Sequence, residues 1–246
     1  MIKAVVLDLD DTLFNTTDLA NESRINGLKM MKKHGLSIDI AEAKSILDEI
    51  VEKYGSNYPR HFDKFLIRLK NSGKPEFADI DIAKYTACGI VGYHNTKIEK
   101  LKPHDDVLPF LNYCKQEGYL LCVISDGIAV KQYEKLIRLG ILDFFDQIFI
   151  SEQLRLEKPD PLIFRHCIDK MGLNATEMVY IGDRLDKDID PAQKVGIHTI
   201  LIHRMGKHDP LHDNSVELDG VTADFEIESL GEMKLILEKL NKNKEK

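Results

Sequence analysis

The chain has 246 residues, 43% of them hydrophobic, and a formal net charge of −7 at neutral pH. That is enough polypeptide for a core domain and a smaller second one, and a negative balance with no basic stripe excludes an electrostatic nucleic-acid binder. No run of about eighteen apolar residues and no signal-peptide pattern is found, so no membrane partner and a cytoplasmic location are expected.

The first predicted element is the apolar run Ile2 to Leu7, which ends in Asp8-Leu9-Asp10-Asp11-Thr12. Two carboxylates two residues apart at a strand end face the same side, and the Asp-Thr pair that follows is turn chemistry. Asp11 can meet the left-handed backbone such a turn demands. Next comes a stretch of about 90 residues, Asn15 to Pro103, with four apolar stripes at helical spacing. They are Leu28, Met31 and Leu36; Ala43, Ile46, Leu47 and Ile50; Phe62, Phe65, Leu66 and Leu69; and Ile82, Tyr85, Cys88 and Ile90.

Beyond it, strands and helices alternate. Val107, Leu108, Leu111 and Cys114 predict a helix stopped by Gly118, and Tyr119 to Ile124 predicts a strand ending in Ser125-Asp126-Gly127. A helix from Ala129 to Leu139 closes at Gly140. The strand Gln147 to Ile150 is followed by Glu157-Lys158-Pro159, and Asp160-Pro161 starts a helix that ends before Gly172. Met178 to Ile181 ends in Gly182-Asp183, with Asp186 and Asp188 beyond. Asp190-Pro191 opens a short helix ending at Gly196, Thr199 to Ile202 is another buried strand, and Leu230, Met233, Leu235, Ile236 and Leu240 form a closing helix. Continuous apolar strands separated by helices predict an α/β fold, a doubly wound, Rossmann-like parallel sheet covered on both faces. Ligands bind such sheets at the carboxyl ends of the strands, where Asp8, Asp10, Ser125, Lys158 and Asp183 all fall.

Taken together, those side chains describe a phosphoryl site. Asp8, Asp10 and Asp183 would place hard oxygen ligands around one point, which suits Mg2+ because no His or Cys shares the cluster. A phosphate dianion near three carboxylates needs a cation and a lysine to offset the charge. An Asp can then act as covalent nucleophile while a second Asp donates and later accepts a proton.

With Asp8-Leu9-Asp10-Asp11-Thr12, Val123-Ile124-Ser125, Lys158-Pro159 and Gly182-Asp183-Arg184-Leu185-Asp186-Lys187-Asp188 in this order, the chain resembles the haloacid dehalogenase superfamily. The resemblance implies that Asp8 attacks phosphorus and that Asp10 is the general acid/base and lends its backbone carbonyl to the metal. It implies that Thr12 orients the first loop, that Ser125, Asp126 and Lys158 bind the phosphoryl group, and that Asp183 and Asp188 complete a Mg2+ set with Asp8 and Asp10. Family members that cleave carbon–halogen bonds lack an acid at position 10 and the phosphate-transferring pumps carry Thr, so Asp10 favours a phosphatase, with a phosphomutase as alternative. Residues 15–103 would be an all-helical cap inserted between the two parts of the catalytic core, 1–14 and 104–246, with Arg60, His61, Lys64, Tyr93, His94 and Lys97 as candidates for reading the substrate. The stretches Asn57 to Leu69 and Tyr93 to Lys97 are similar to the branch containing archaeal-type glyceraldehyde 3-phosphate phosphatases and N-acylneuraminate-9-phosphatases. That implies a hydrolase acting on a small phosphorylated metabolite of sugar or triose type.

Other features have plainer readings. His203, His208 and His212 with Asp209 and Asp213 suggest zinc, but Gly206 and Pro210 interrupt any helix and no thiolate joins them, so a loop is expected. Cys88, Cys114, Cys122 and Cys167 have no CxxC spacing, and the last three sit at apolar positions, as reduced core thiols do. Asn241 to Lys246 reads as a charged, frayed tail. A phospho-signalling receiver would carry its acceptor Asp on a middle strand, and a non-catalytic binding protein on this fold would be expected to lose one of the acidic or lysine residues that this chain keeps. The apolar stripes of the insert leave a homodimer open.

Overall fold

Six short strands, β1 (Ala4–Leu7), β2 (Leu120–Ser125), β3 (Gln147–Ile150), β4 (Met178–Gly182), β5 (His198–Ile202) and β6 (Phe225–Ile227), pair in parallel in the order β3-β2-β1-β4-β5-β6. The structure is a computed structural model that describes residues 1–204 and 220–242. Every residue of β1 and β4 is buried, which is why these strands read as unbroken apolar runs rather than alternating ones. From β1 the chain winds outward through β2 and β3, then crosses back to β4 on the other side, so the winding reverses between β1 and β4. Ligand crevices open at such reversals.

Two compact units divide the chain, Met1–Thr17 with Lys102–Lys246, and Asp18–Leu101. The first holds the sheet with helices α5 (Val107–Gln116), α6 (Ala129–Arg138), α7 (Ser151–Leu154), α8 (Pro161–Met171), α9 (Asp190–Lys194) and α10 (Met233–Lys242). These follow the second unit's four, α1 (Thr16–Lys33), α2 (Ile40–Tyr54), α3 (His61–Lys70) and α4 (Ile82–Lys100). Local chemistry sets the ends. The Asp160 side chain accepts the Leu162 N–H at 2.9 Å, Pro161 occupies the first turn of α8, and Gly172 closes it with a left-handed φ of 63°. Asp39 caps α2 in the same way through the Ala41 and Glu42 N–H groups.

In the helical unit, Leu28, Met31, Leu47, Phe65, Leu66 and Phe77 form one apolar core. Here α1 and α4 touch backbone to backbone: a Cβ added to Gly92 would lie 2.6 Å from the Asn26 carbonyl oxygen. Asn26 also donates to the Thr96 hydroxyl at 3.1 Å.

Three details differ from the periodicity. Leu108 and Ile90 are exposed, and on α10 the inward residues are Met233 and Leu237 while Leu235 points outward. The three-residue strand β6 was not expected, being too short for a pattern to show. His203 is buried and its Nε2 lies 3.1 Å from Glu226 on β6, whereas Gly206, His208, Asp209, Pro210, His212, Asp213 and the end of the tail fall outside the described residues. Cys114, Cys122 and Cys167 are buried, and all four cysteines are free.

Candidate active site

The end of β1 delivers Asp8, whose N–H donates to the Ile181 carbonyl of β4 at 2.9 Å, so the nucleophile candidate sits at the β1/β4 reversal. From the loop after α7, Lys158 reaches the same point. Its Nζ lies 2.5 Å from Asp8 Oδ1 and 2.7 Å from Asp188 Oδ1, and donates to Tyr180 Oη at 3.3 Å. Tyr180 in turn donates to Asp188 at 2.8 Å, and the Arg184 N–H fills the other Asp188 oxygen at 3.1 Å. Asp188 can approach because Gly182 has no side chain: a Cβ there would lie 2.5 Å from the Asp188 Cγ. Asp186, by contrast, pairs with Arg184, and Asp190 with Lys194.

Asp8, Asp183 and Asp188 bring carboxylate oxygens within 4.8 Å of one another. All three are buried, as is Lys158, so one ammonium faces three acids. The electrostatic strain shows in their acidities. Burial drives Asp8 up to about 7 against the pull of Lys158, with Asp188 and Asp10 adding to the rise. Burial, Asp188 and Asp8 hold Asp183 well above the carboxylate range, while Asp188 and Asp8 more than offset burial to raise Lys158. Like charges packed this closely cannot all ionise without a further cation. A hard, oxygen-only donor set with excess negative charge fits a divalent metal ion.

The remaining candidates divide. Thr12 Oγ1 is 3.5 Å from Asp183 Oδ1 and fully buried. Ser125 is buried at the end of β2 and accepts from Gln132 Nε2 at 3.0 Å. Asp126 accepts the Lys158 N–H at 3.0 Å, fixing the loop that carries the lysine. The Asp10 carboxylate, expected around one point with Asp8 and Asp183, lies outside the trio that these two form with Asp188, itself expected in the metal set. The Asp10 oxygens face Lys135 Nζ at 2.6 and 2.7 Å, Gln132 Nε2 at 2.9 Å and Thr16 Oγ1 at 2.5 Å. Burial alone would raise its pKa, but Lys135, Thr16 and Gln132 outweigh burial and lower it. Any metal role of Asp10 is therefore left to its backbone carbonyl.

Asp11 has the left-handed φ of 59° and grips the next threonine, accepting from Thr17 N at 2.9 Å and Thr17 Oγ1 at 2.6 Å. Residues the sequence did not single out are Tyr180, Gln132, Lys135 and Arg204. Arg204 donates to the Thr12 carbonyl at 3.0 Å while holding Asp106 bidentately at 2.8 and 3.0 Å. The one signal that could have marked any of them is the i, i+3 spacing of Gln132 and Lys135 on the helix after Ser125. In the helical unit, Arg60 pairs with Asp63, His61 Nε2 lies 2.9 Å from the Gly55 carbonyl, and Lys64 covers the Tyr54 ring. Tyr93 packs edge-on to Phe62, with His94 and Lys97 against its ring.

Residues 5–202 match the model of the haloacid dehalogenase-like hydrolases, and the chain belongs to that family. It is 42% identical to a Methanopyrus kandleri protein named glyceraldehyde 3-phosphate phosphatase, over 99% of this chain and 100% of that one. A mouse (Mus musculus) N-acylneuraminate-9-phosphatase is 26% identical over 84% of each chain. Among solved structures, a HAD phosphatase from Thermococcus onnurineus superposes with a TM-score of 0.63 at 26% identity, covering 96% of this chain and 98% of that one. No described helix is long and apolar enough to cross a membrane.

Proposed function

We propose that this hydrolase is a Mg2+-dependent phosphatase of a small phosphorylated metabolite, with glyceraldehyde 3-phosphate as the first substrate to test, and that residues 15–103 form its inserted cap. The observation that carries the proposal is the buried set Asp8, Lys158, Asp183 and Asp188 at the β1/β4 reversal. The substrate class rests on the relatives and on their extent of match.

In this reading an Asp8 oxygen attacks phosphorus and the bond from phosphorus to the ester oxygen breaks, leaving an aspartyl-phosphate. The departing oxygen takes a proton from Asp10, which Lys135 holds ionised in the substrate-free site and which first receives that proton from the monoprotonated phosphate ester as it binds. Asp10 then removes a proton from water as the water oxygen attacks phosphorus, which frees inorganic phosphate and restores Asp8. Lys158 and Ser125 hold the phosphoryl oxygens, Asp126 fixes the Lys158 backbone, and Thr12 braces Asp183. Asp8, Asp183 and Asp188 with the Asp10 carbonyl would hold Mg2+, which supplies positive charge against the phosphate and the acids around it.

The test is phosphate release from an aryl phosphate, glyceraldehyde 3-phosphate, an N-acylneuraminate 9-phosphate and hexose phosphates, with and without Mg2+. Metal-dependent release led by the triose phosphate supports the proposal. Isomerised sugar phosphate in place of free phosphate would turn it to a mutase, and no reaction with any compound would defeat it.

A further inference from the structure

The proposed chemistry asks two things of Asp10, a proton given and a proton taken, and a side chain on a loop performs neither unless it is held still. Three groups hold it. Lys135 spans both carboxylate oxygens, with its side chain only 16% exposed and its ammonium 5.7 Å from the centre of the buried Phe14 ring. Gln132 is 2% exposed, and its single NH2 group meets Asp10, the Ser125 hydroxyl and the Asp126 carbonyl. Thr16 closes the remaining side. An ordinary surface ion pair on the same helix, Arg138 with Glu134, has both side chains about half exposed and touches nothing of the site.

We infer that Lys135 and Gln132 are positioning residues for the acid/base, with Lys135 fixing the Asp10 carboxylate and Gln132 tying it to the hydroxyl that holds the phosphoryl group. The inference rests on the phosphatase reading above. One face of α6 then does the work usually credited to the loops, since two side chains one helical turn apart set the distance between proton transfer and phosphoryl binding.

Leaving groups separate this role from a structural one. p-Nitrophenolate departs with little help from an acid, whereas an alkoxide needs the proton, and hydrolysis of the aspartyl-phosphate needs the base whatever the substrate. Rapid mixing of p-nitrophenyl phosphate and Mg2+ with Lys135→Met should give a burst of one nitrophenolate per enzyme at close to the wild-type rate. Steady-state turnover, and turnover of an alkyl phosphate, should fall about tenfold to a hundredfold, a fraction of what general acid–base catalysis supplies. Gln132→Leu, which also releases the Ser125 hydroxyl, should lower the burst as well, with the larger loss in the steady state, and Lys135→Arg, which keeps charge and donors, should recover most of the rate. Lys135→Gln is the substitute should the Met variant not fold. Burst and steady state reduced by one common factor, or neither reduced, overturns the inference. Asp10→Asn run in parallel identifies what failed. If Asp10→Asn shows the split and the Lys135 variants do not, only the positioning role falls; if wild type releases no phosphate, or Asp10→Asn shows no split, the phosphatase reading or the role of Asp10 falls and the inference goes with it.

Discussion

The two units treat buried polarity in opposite ways. In the helical unit the buried polar residues among those described are Ser23 and Thr96, each donating to a carbonyl one turn back in its own helix. Its charges pair at the surface, as Arg68 does with Glu49 at 2.7 Å and Lys74 with Glu42 at 2.9 Å, all about half exposed. The sheet unit buries Asp8, Asp183, Asp188 and Lys158 within one cluster and leaves its charges unbalanced. Desolvating acids without enough cations opposes folding. Such a cluster is a fold's concession to chemistry, and the contrast separates residues kept for stability from residues kept for reaction.

The contrast can be broken by experiment, and Asp8→Asn is the most severe trial. Phosphate release should fall by about a thousandfold or more, as loss of a covalent nucleophile does elsewhere, while folding persists or improves because a buried acid is gone. Turnover near wild type would remove Asp8 from the mechanism. Next is Gly182→Ala, whose added carbon displaces the Asp188 carboxylate. Mg2+ activation measured by titration should weaken about ten- to a hundredfold, the usual cost of disturbing a metal ligand's support.

Metal removal probes the charge imbalance through pH. Asp8 has a folded pKa raised to about 7, so the native state binds protons that the unfolded chain gives up at its ordinary value near 3.8. For such a group, stability without metal is full below the unfolded value and declines as pH rises toward 7. A cation that replaces the proton reverses this, so the rise in Tm on adding Mg2+ to chelator-treated protein should be larger at pH 8 than at pH 5. An equal rise at both would place the ion elsewhere.

The helical unit should answer to packing alone. Gly92→Ala drives a carbon into the Asn26 carbonyl and should cost about 1–3 kcal/mol in urea unfolding. Lys44→Ala, which removes an exposed pair with Asp48, should change stability by no more than about 0.5 kcal/mol. A large loss there would mean that the surface pairs matter more than the comparison allows.

Much of this was readable in the residues. Apolar runs such as Ile2 to Leu7 and Met178 to Ile181, each ending in acids, place β1 and β4, because a strand buried on both faces leaves a continuous apolar signature. Asp160-Pro161 and Gly172 mark α8 because capping chemistry is local. What could not be read depends on the fold. Asp10 looks equivalent to Asp8 two residues earlier, and only the arrival of Lys135, more than a hundred residues on, separates the fates of the two carboxylates. The motif names Asp188 for the metal set, but the close approach at Gly182 that lets its carboxylate in is a fact of packing that no spacing records. Leu235 and Leu237 are equally apolar, and packing alone decides which faces inward.

Arg204 carries one more consequence. It joins the carbonyl of Thr12 to Asp106, whose carboxylate also takes the Leu230 N–H at 2.8 Å and the Ser229 hydroxyl at 3.0 Å. The loop between Asp10 and Thr12 is thereby guyed to the segment that opens α10. A chain ended at Ile202, where the family match stops, would keep every acid and the lysine yet cut this line. The shortest fragment able to hold its own catalytic loop taut is longer than the stretch that family membership defines.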